Sequence, residues 1–328
     1  MIRIALDAMG GDHAPKEIIS GAILARSSME LDITLIGDKT AIEEELKIQK
    51  SPFMFPVVHT TEVVTMNDHP SEVLRTKKDA SIFVATRLVA EGRCDAIVSA
   101  GSTGAQLAAA IFILGRVRGI ERPGVATPVP QVNGKLAMMC DGGAVSDCKP
   151  NNLLEFAQMS SAYCQNVMGI DNPRVALLNI GEEPEKGSEL TQATHKLLLK
   201  SGLNFIGNIE GKDVLKGNAD AIITDGFTGN VILKAIEGIA SDVMGLVKKA
   251  AKTSLSSKMG GLLLLPAIGN IRKMMDYSEY GGAPLLGVNG ISIICHGRSN
   301  GKAISSAIRQ AVNCCNAQLI SKISSQTR

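Results

Sequence analysis

Aromatic side chains and excess positive charge are both scarce in this chain. It has no Trp, three Tyr and seven Phe, which leaves few side chains on which nucleic-acid bases could stack. Its 34 Lys and Arg residues are nearly balanced by 32 Asp and Glu residues, so the net charge is only +2. General nucleic-acid binders rely on a strong positive excess to contact phosphates. The composition therefore argues against nucleic acid as a partner.

Long apolar runs are also missing, and none approaches the ~20 residues that a membrane-spanning helix needs. Because 45% of the residues are hydrophobic and 20% are charged, the chain can form a core and is not of the disordered class. The N-terminus reaches Asp7 through a strand-like pattern, which is not typical of a secretory or transit peptide. We therefore expect a soluble, globular, cytoplasmic protein.

Seven cysteines are present, but no two are spaced as Cys-x-x-Cys. An odd number in a long chain is typical of reduced thiols rather than of a disulfide framework. Cys140 and Cys148 come nearest to a spaced pair. A zinc site there would need a second pair of Cys or His ligands at suitable spacing, and the sequence offers none.

What the chain contains instead is a repeated alternation of short apolar runs and amphipathic stretches. Apolar runs without polar alternation are typical of parallel strands that are buried on both faces. We predict strands at residues 2–6, 33–36, 56–64, 96–98, 125–129, 136–140, 175–180, 205–209, 221–224 and 291–295. We predict helices at residues 15–26, 40–49, 71–91, 103–117, 150–168, 186–200, 228–253 and 299–323. This alternation predicts a layered α/β/α structure with a mostly parallel sheet.

No linker rich in Pro, Gly or Ser divides the 328 residues. We therefore expect a single unit over residues 1–328, in which any two lobes around a cleft share strands or helices. The clearest irregular region is residues 254–289, an apolar and basic segment that contains two pairs of consecutive glycines.

Polar and Gly-rich loops follow several of the predicted strands. Parallel strands bring such loops to one edge of an open α/β sheet, where ligands bind. The loops lie at residues 7–15, 99–105, 141–144, 179–187, 224–230 and 296–300. Taken singly, each loop is also explained by the ordinary use of Gly and Asn in turns and caps. Together, the six loops favour a single ligand site.

The predicted ligand is phosphate. Residues 99–105 read Ser-Ala-Gly-Ser-Thr-Gly-Ala and stand just before a predicted helix, where free N–H groups and the helix dipole attract an anion. The loop lacks the spacing of a nucleoside-triphosphate P-loop, and no loop contains the Gly-x-Gly-x-x-Gly of dinucleotide sites. The candidate binding residues are Asp7, Gly10, Gly11, Asp12, Ser99, Gly101, Ser102, Thr103, Gly104, Asp225 and Gly229.

A magnesium cluster is the alternative interpretation of the acidic loop residues Asp7, Asp12, Asp141 and Asp225, although helix caps explain several of them equally well.

Two residues are candidates for acid–base or electrophilic work. His13 lies in the first loop, where it could donate to an oxyanion or simply cap a helix. Lys186 is predicted to be the first residue of a helix. A lysine at that end opposes the helix dipole, so the presence of Lys186 is explained better by the charge of a ligand than by helix stability. The chain has no Gly-x-Ser-x-Gly elbow and no Cys and His arranged as a nucleophile and its base. A covalent acyl-enzyme is therefore not expected.

Long, ordered motifs of the chain resemble those of one known family. The motifs lie at residues 6–15, 99–105, 177–183, 207–211, 225–230 and 280–287. At these positions the sequence resembles the PlsX-type phosphate acyltransferases of bacterial phospholipid synthesis, and the similarity extends over nearly the whole chain. The resemblance implies that a long acyl chain is transferred from acyl carrier protein to inorganic phosphate. The acyl phosphate product would then serve a membrane glycerol-phosphate acyltransferase.

The resemblance also implies a fold similar to the isocitrate and isopropylmalate dehydrogenases without their nicotinamide cofactor, and a homodimer that associates peripherally with membranes. No cofactor or metal is expected. The catalytic residues that it implies are His13, Lys186 and Asn230, with His13 and Asn230 stabilising the oxyanion and Lys186 helping to hold phosphate. Two positions depart from the family motifs, because Ser102 and Val145 stand where Asn is expected. Ser102 keeps a hydrogen-bonding side chain, whereas Val145 does not.

Two surfaces complete the sequence-based hypothesis. A basic surface for the acidic carrier protein is expected at Lys248, Lys249, Lys252, Lys258, Arg272 and Lys273, although Lys runs often simply face water. A membrane contact is expected within residues 254–276 at Leu262, Leu263, Leu264 and Leu265, which would otherwise be buried in a core or dimer contact.

Two rival functions remain open from the sequence. One is a dehydrogenase-fold enzyme acting on a small phosphorylated or acidic substrate. The other is a non-catalytic membrane scaffold for lipid-synthesis enzymes.

Overall fold

A computed structural model describes residues 1–65, 68, 70–253, 257–260, 263, 264, 266, 269 and 277–327. Its strands are β1 (Ile2–Asp7), β2 (Leu31–Gly37), β3 (Val57–His59), β4 (Ala96–Ser99), β5 (Gly124–Val125), β6 (Thr127–Pro130), β7 (Leu136–Cys140), β8 (Val175–Asn179), β9 (Phe205–Glu210), β10 (Ala221–Ile223), β11 (Ala283–Leu286) and β12 (Ile291–Ile294). Its helices are α1 (Lys16–Ser28), α2 (Lys39–Ile48), α3 (Pro70–Thr76), α4 (Ser81–Ala90), α5 (Thr103–Ala109), α6 (Pro150–Asn166), α7 (Glu189–Leu198), α8 (Gly226–Ala250), α9 (Tyr277–Tyr280), α10 (Gly301–Asn316) and α11 (Leu319–Gln326).

The first sheet of the described residues has the strand order β3-β2-β1-β4-β12-β11-β5. The strands from β3 to β12 in this order are parallel, whereas β11 runs antiparallel to β12 and to β5. The central strand β1 is buried from Ile4 to Asp7, as expected for a strand covered by helices on both faces.

The second sheet has the order β6-β7-β10-β8-β9, in which only β6 is antiparallel to its neighbour. Strands β5 and β6 are nearly continuous in the chain, yet β5 pairs with β11 in the first sheet and β6 pairs with β7 in the second. The single strand predicted at residues 125–129 is therefore wrong. Pro128 and Pro130 lack an N–H group, and both lie in β6 at the edge of the second sheet, where that group is not needed.

Three predicted helices are shorter or divided. The helix predicted at residues 71–91 is two helices, because Ser81 N–H donates to Glu62 O at 3.0 Å and Thr60 Oγ1 bonds Asp79 O between them. The helix predicted at residues 299–323 divides at Gln318, which is left-handed with a φ of 51°. The helix predicted at residues 103–117 is shorter. Helix α5 continues into a π-helical turn at Ala110–Leu114, and the helical segment ends there, with Gly115 as its cap.

The segment predicted to be irregular, residues 254–289, lies largely outside the described residues. Its described end contains α9 and β11, a strand that the sequence pattern did not predict. No helix among the described residues has the length and apolarity that crossing a bilayer requires.

The α8 helix is exposed over most of its length. Its buried residues are Gly226 and Gly229 in the first turn, and Ile232, Leu233 and Ile236 are half-buried against the apolar core of the second sheet. The expected class, a layered α/β/α fold with mostly parallel strands, is confirmed by these sheets and the helices packed on them.

Candidate active site

Two sets of loops lie at the carboxyl ends of parallel strands. The first set follows β1, β4 and β12 of the first sheet, and the second follows β7, β8 and β10 of the second sheet. This is the edge at which open α/β sheets bind ligands. All six loops predicted to carry chemistry therefore belong to this kind of edge, divided between two sheets.

Asp7 and Ser99 join the first two loops to each other. The Ser99 hydroxyl donates to Asp7 Oδ2 at 2.7 Å, and Ser99 Oγ accepts from Gly101 N–H at 3.0 Å. Both side chains are buried, and burial raises the pKa of the Asp7 carboxyl. The sequence hypothesis made both residues phosphate ligands, but their side chains are occupied in supporting the loop at residues 99–105.

Glycines let these loops approach closely. A Cβ atom at Gly10 would lie 2.5 Å from Asp7 Oδ2 and 2.7 Å from Gly101 N, so no larger residue fits there. Gly11 has a φ of 103°, which favours glycine, and beside it Asp12 N–H donates to Gly297 O at 2.8 Å. The loop after β12 is thereby joined to the loop after β1.

The start of α5 presents backbone donors beside these glycines. Ser102 is its N-cap, and its hydroxyl accepts from Ala105 N–H at 3.4 Å. The N–H groups of Thr103 and Gly104 belong to the first turn, so they have no partner within the helix. Thr103 is exposed, as are Asp12 and His13 in the neighbouring loop. These groups can contact a ligand from solvent.

Asp141 organises the loop after β7. Its fully buried carboxylate accepts hydrogen bonds of 2.6–3.0 Å from the N–H groups of Val125, Gly143, Ala144 and Val145. Burial raises the pKa of Asp141, and the four N–H groups oppose that rise. The sequence analysis considered Asp141 as a metal ligand or a helix cap and missed this role.

Val145 joins two loops through its backbone N–H and carbonyl groups. Its N–H donates to Asp141 Oδ2 at 2.6 Å, its carbonyl accepts from Gly226 N–H at 2.8 Å, and its side chain packs on the main apolar core. The Asn that the family motif led us to expect at this position is not needed for either backbone bond.

The first turn of α8 rests on the Asp141 loop. Asp225 caps the helix, because its carboxylate accepts from Thr228 N–H at 2.9 Å and from Thr228 Oγ1 at 2.7 Å. A Cβ atom at Gly229 would lie 2.0 Å from Asp141 O. The next residue, Asn230, is exposed and lies beside Gly143.

Lys186 lies in the loop after β8 and does not open a helix as predicted, because α7 starts at Glu189 with Ser188 as its cap. Its N–H donates to Glu183 O at 3.1 Å, and its carbonyl accepts from Asn179 Nδ2 at 2.9 Å. Its side chain is exposed and has no ion-pair partner among the described residues. Asn179 was missed from the sequence, although a polar residue at a strand's carboxyl end was an available signal.

The two sets of loops are connected through β5 and α5. Val125 N–H binds Asp141, while Val125 itself lies in the first sheet. Ala144 belongs to the same apolar cluster as Leu107 and Ala110, which lie on the helical segment that follows residues 99–105. Among the described residues, no hydrogen bond or ion pair joins Lys186 or Asn230 to residues 99–105.

The carboxylates of these loops do not form a metal cluster. Asp7, Asp141 and Asp225 are each bonded within their own loops or to a neighbouring loop. Over the part of the chain that the structure describes, no group of three His, Cys, Asp or Glu residues is arranged to hold a metal ion.

The two expected surfaces are only partly described. Lys248, Lys249, Lys252 and Lys258 are exposed, and the first three lie at or just beyond the end of α8. Leu263 and Leu264 are 83% and 56% exposed. Arg272, Lys273, Leu262 and Leu265 lie outside the described residues.

The family model of the fatty acid synthesis proteins matches residues 2–322. A phosphate acyltransferase of Heliobacterium modesticaldum is 54% identical over 312 residues, which cover 94% of this chain and 93% of that relative. A phosphate acyltransferase of Desulfitobacterium hafniense is 50% identical over 323 residues, which cover 98% and 96%.

Solved structures with a similar fold have far lower identity. The EutD phosphotransacetylase from Staphylococcus aureus is 15% identical with a TM-score of 0.62, covering 96% of this chain and 94% of its own. A Salmonella typhimurium protein described as a 4-hydroxythreonine-4-phosphate dehydrogenase is 12% identical with a TM-score of 0.52, covering 95% and 99%. At such identities the likeness shows the fold alone, and it agrees with the expected dehydrogenase-like architecture.

Proposed function

The chain belongs to the fatty acid synthesis protein family, with phosphate acyltransferases 50% and 54% identical to it, and on this premise we propose that it transfers a long fatty acyl group from acyl carrier protein to inorganic phosphate. Family membership makes the chain an acyltransferase. The full-length similarity to phosphate acyltransferases is the observation that carries the proposal. The carrier protein as donor and the use of the product in phospholipid synthesis are parts of the proposal.

Phosphate binds at the start of α5. The amide groups of Thr103 and Gly104 are donors with no partner inside the helix, and the Ser102 hydroxyl lies at the same turn. Lys186 supplies the positive charge, which suits an exposed ammonium group without an ion-pair partner among the described side chains.

The bound phosphate attacks the thioester directly. One phosphate oxygen forms a bond to the thioester carbonyl carbon, and the carbonyl electrons move to its oxygen. His13 and Asn230, which are both exposed at the site's loops, donate to that oxyanion. The carbon–sulfur bond then breaks, sulfur leaves with the electron pair and takes up a proton, and the products are acyl phosphate and free carrier protein.

The cysteines support attack without an acyl-enzyme. Burial raises the pKa of Cys148, Cys295 and Cys314 to about 12 and that of Cys140 well above its usual range. Thiols in this state contain little thiolate at neutral pH. Cys148, the half-buried thiol beside the Asp141 loop, donates to Val145 O at 3.3 Å.

Acyl carrier protein is proposed to dock at the basic end of α8, where Lys248, Lys249 and Lys252 are exposed. Opposite charges steer such encounters at low salt. The sequence-based hypothesis also includes Lys258, which is exposed, and Arg272 and Lys273, which lie outside the described residues.

A homodimer with a peripheral membrane contact is part of the proposal. The support for the homodimer is a set of exposed apolar side chains on α8, which recur at helical spacing at Phe227, Val231, Ile239, Val243 and Leu246. Leu263 and Leu264 stand between basic residues, the pattern of a membrane anchor. Release of acyl phosphate at the membrane would deliver it to a glycerol-phosphate acyltransferase.

The experiment is a turnover assay with acyl carrier protein thioesters and phosphate, comparing Lys186→Ala with Lys196→Ala, an exposed lysine on α7. We expect Lys186→Ala to lose about a hundredfold in turnover, because a charge that stabilises the reacting phosphate is lost. Lys196→Ala should retain wild-type turnover. Equal turnover of both variants would remove Lys186 from the chemistry. A wild-type protein without phosphate-dependent turnover would favour the scaffold, and reduction of a nicotinamide would favour the dehydrogenase.

A further inference from the structure

The Gly-Asn-Ile-Glu-Gly motif at residues 207–211 covers the last four residues of β9 and the residue after it, and the proposed chemistry does not use it. Strand β9 contains a bulge, because Val175 and Leu177 of β8, two residues apart, pair with Phe205 and Asn208, three residues apart. Gly207 takes up the extra residue with a φ of 98°, a conformation that favours glycine. In a regular strand Phe205 and Asn208 would point to opposite faces. The bulge brings both side chains to His195 of α7.

His195 and Asn208 form a buried pair. The two residues are 5% and 6% exposed, and His195 Nδ1 lies 2.8 Å from Asn208 Oδ1. The Phe205 ring meets the imidazole edge to face, with the ring centres 5.1 Å apart. Ring packing and the hydrogen bond together fix the orientation of both side chains.

The Asn208 side-chain amide also bonds to the loop after β8, which contains Lys186. Its Nδ2 donates to Glu183 O at 3.0 Å, and the same carbonyl accepts from Lys186 N–H at 3.1 Å. A carbonyl can only accept, so this end of the amide must be nitrogen and the end facing His195 must be oxygen. The histidine therefore donates from Nδ1, which both its Nδ1–H tautomer and the imidazolium can do.

We propose that Asn208 and His195 are positioning residues for Lys186. His195 orients the Asn208 amide, and that amide holds the Glu183 carbonyl. The same carbonyl accepts from Lys186 N–H and so closes the turn before Lys186. This inference rests on the proposed function, since it assigns the pair a purpose in phosphate binding. Neither residue touches the substrate. Their effect on the reaction passes through the backbone of the loop after β8.

The central variant is Asn208→Asp. It keeps the size of the side chain and can still accept from His195, but it has no donor for Glu183 O and places a negative charge beside that carbonyl. The matched control is Asn204→Asp, immediately before the same strand, where Asn204 Nδ2 donates to Asn172 O at 3.1 Å. Each variant loses one hydrogen bond from a side-chain amide to a backbone carbonyl. Only the bond lost in Asn208→Asp involves the loop that contains Lys186.

The first measurement is amide hydrogen exchange of residues 180–187, which needs no turnover. We expect exchange there to be at least about tenfold faster in Asn208→Asp than in the wild type, and unchanged in Asn204→Asp. The second is steady-state kinetics. We expect the KM for phosphate to rise about tenfold in Asn208→Asp, while the KM for the acyl donor stays at the wild-type value.

Histidine variants test the same claim without changing Asn208, should Asn208→Asp fail to fold. His195→Asn places an amide nitrogen where Nδ1 stood and should restore near wild-type exchange and phosphate KM. His195→Leu lacks a donor and should behave like Asn208→Asp.

Two results would overturn the inference: exchange at residues 180–187 that is unchanged in Asn208→Asp and His195→Leu, or faster exchange with an unchanged KM for phosphate. Failure of the proposed function looks different, because the wild type itself would then show no phosphate-dependent turnover.

Discussion

At the scale of single residues, Asp141 stabilises the site without facing a ligand. Its carboxylate accepts from four backbone N–H groups, one of them in the first sheet and three in its own loop. Buried donors that lose their acceptor incur the full cost of desolvation. The shape of the loop under Asn230 therefore depends on this one side chain.

The variant Asp141→Asn tests this dependence. An amide offers one acceptor atom and points N–H groups at the backbone donors, so we expect the free energy of unfolding to fall by about 2–4 kcal/mol. The control is Asp147→Asn, an exposed residue close by in the sequence, which should change it by less than about 0.5 kcal/mol. Urea denaturation followed by circular dichroism measures both. Equal stabilities would show that the N–H groups find other acceptors.

Residue identity alone did not reveal which polar side chains face the ligand. Asp7 and Ser99 stand in the loops that the sequence correctly placed at strand ends, yet they bond each other across two loops. Lys186 and Thr103 come from loops of the same composition and are exposed. Whether a polar side chain is bonded or exposed depends on contacts between the loops of neighbouring strands. The pattern of a single sequence does not show which strands are neighbours.

At the scale of elements, the start of α8 is fixed by close approach to the Asp141 loop. A Cβ atom at Gly229 would lie 2.0 Å from Asp141 O, whereas one at Gly238 in the same helix would meet nothing within 4 Å. The same substitution should therefore have opposite effects at the two positions.

Gly229→Ala should lower the free energy of unfolding by about 1–3 kcal/mol, because the helix start must move away from the loop. It should also lower turnover, since Asn230 moves with it. Gly238→Ala should raise the free energy of unfolding by about 1 kcal/mol through helix propensity and leave turnover unchanged. Thermal unfolding and the turnover assay distinguish the two variants. Equal stabilities for the two would show that the helix start is not constrained by the loop.

Elements were predictable where local pattern determines them. The apolar runs of β1, β7 and β8 and the amphipathic pattern of α6 agree with the sequence predictions to within a few residues. The break between α3 and α4 was not predictable, because it depends on hydrogen bonds from residues 60–62 that lie far away in the sequence. Strand β11 was missed although it pairs locally with β12, because its other pairing, with β5, joins residues that lie far apart in the sequence.

At the scale of the whole molecule, the sequence predicted the class of fold but not its division into two sheets. That division occurs at residues 124–130, where one short stretch pairs first with β11 and then with β7. Periodicity cannot distinguish one bent strand from two, since it reports burial rather than partners. The division places the two sets of loops on different sheets, which Val125 and Asp141 connect.

The proposed membrane contact is tested with vesicles of anionic phospholipid. Replacing Leu263 and Leu264 with Glu should weaken vesicle binding about tenfold or more, because it removes apolar area and adds charge at the surface. The control carries the same charge change at exposed leucines elsewhere, Leu24→Glu with Leu199→Glu. Cosedimentation measures binding, and turnover and dimer mass should stay unchanged in both. Equal binding by both variants would place the membrane contact elsewhere.

The central claim is that bound phosphate attacks the thioester directly. The most direct test mixes the wild-type protein with an acyl carrier protein thioester, first without phosphate and then with it, and follows free carrier thiol and the intact mass of the enzyme. We predict no carrier release and an unmodified 34.5 kDa chain until phosphate is added, and then one acyl phosphate for each carrier released. Carrier release without phosphate, together with an enzyme heavier by one acyl group, would contradict the account.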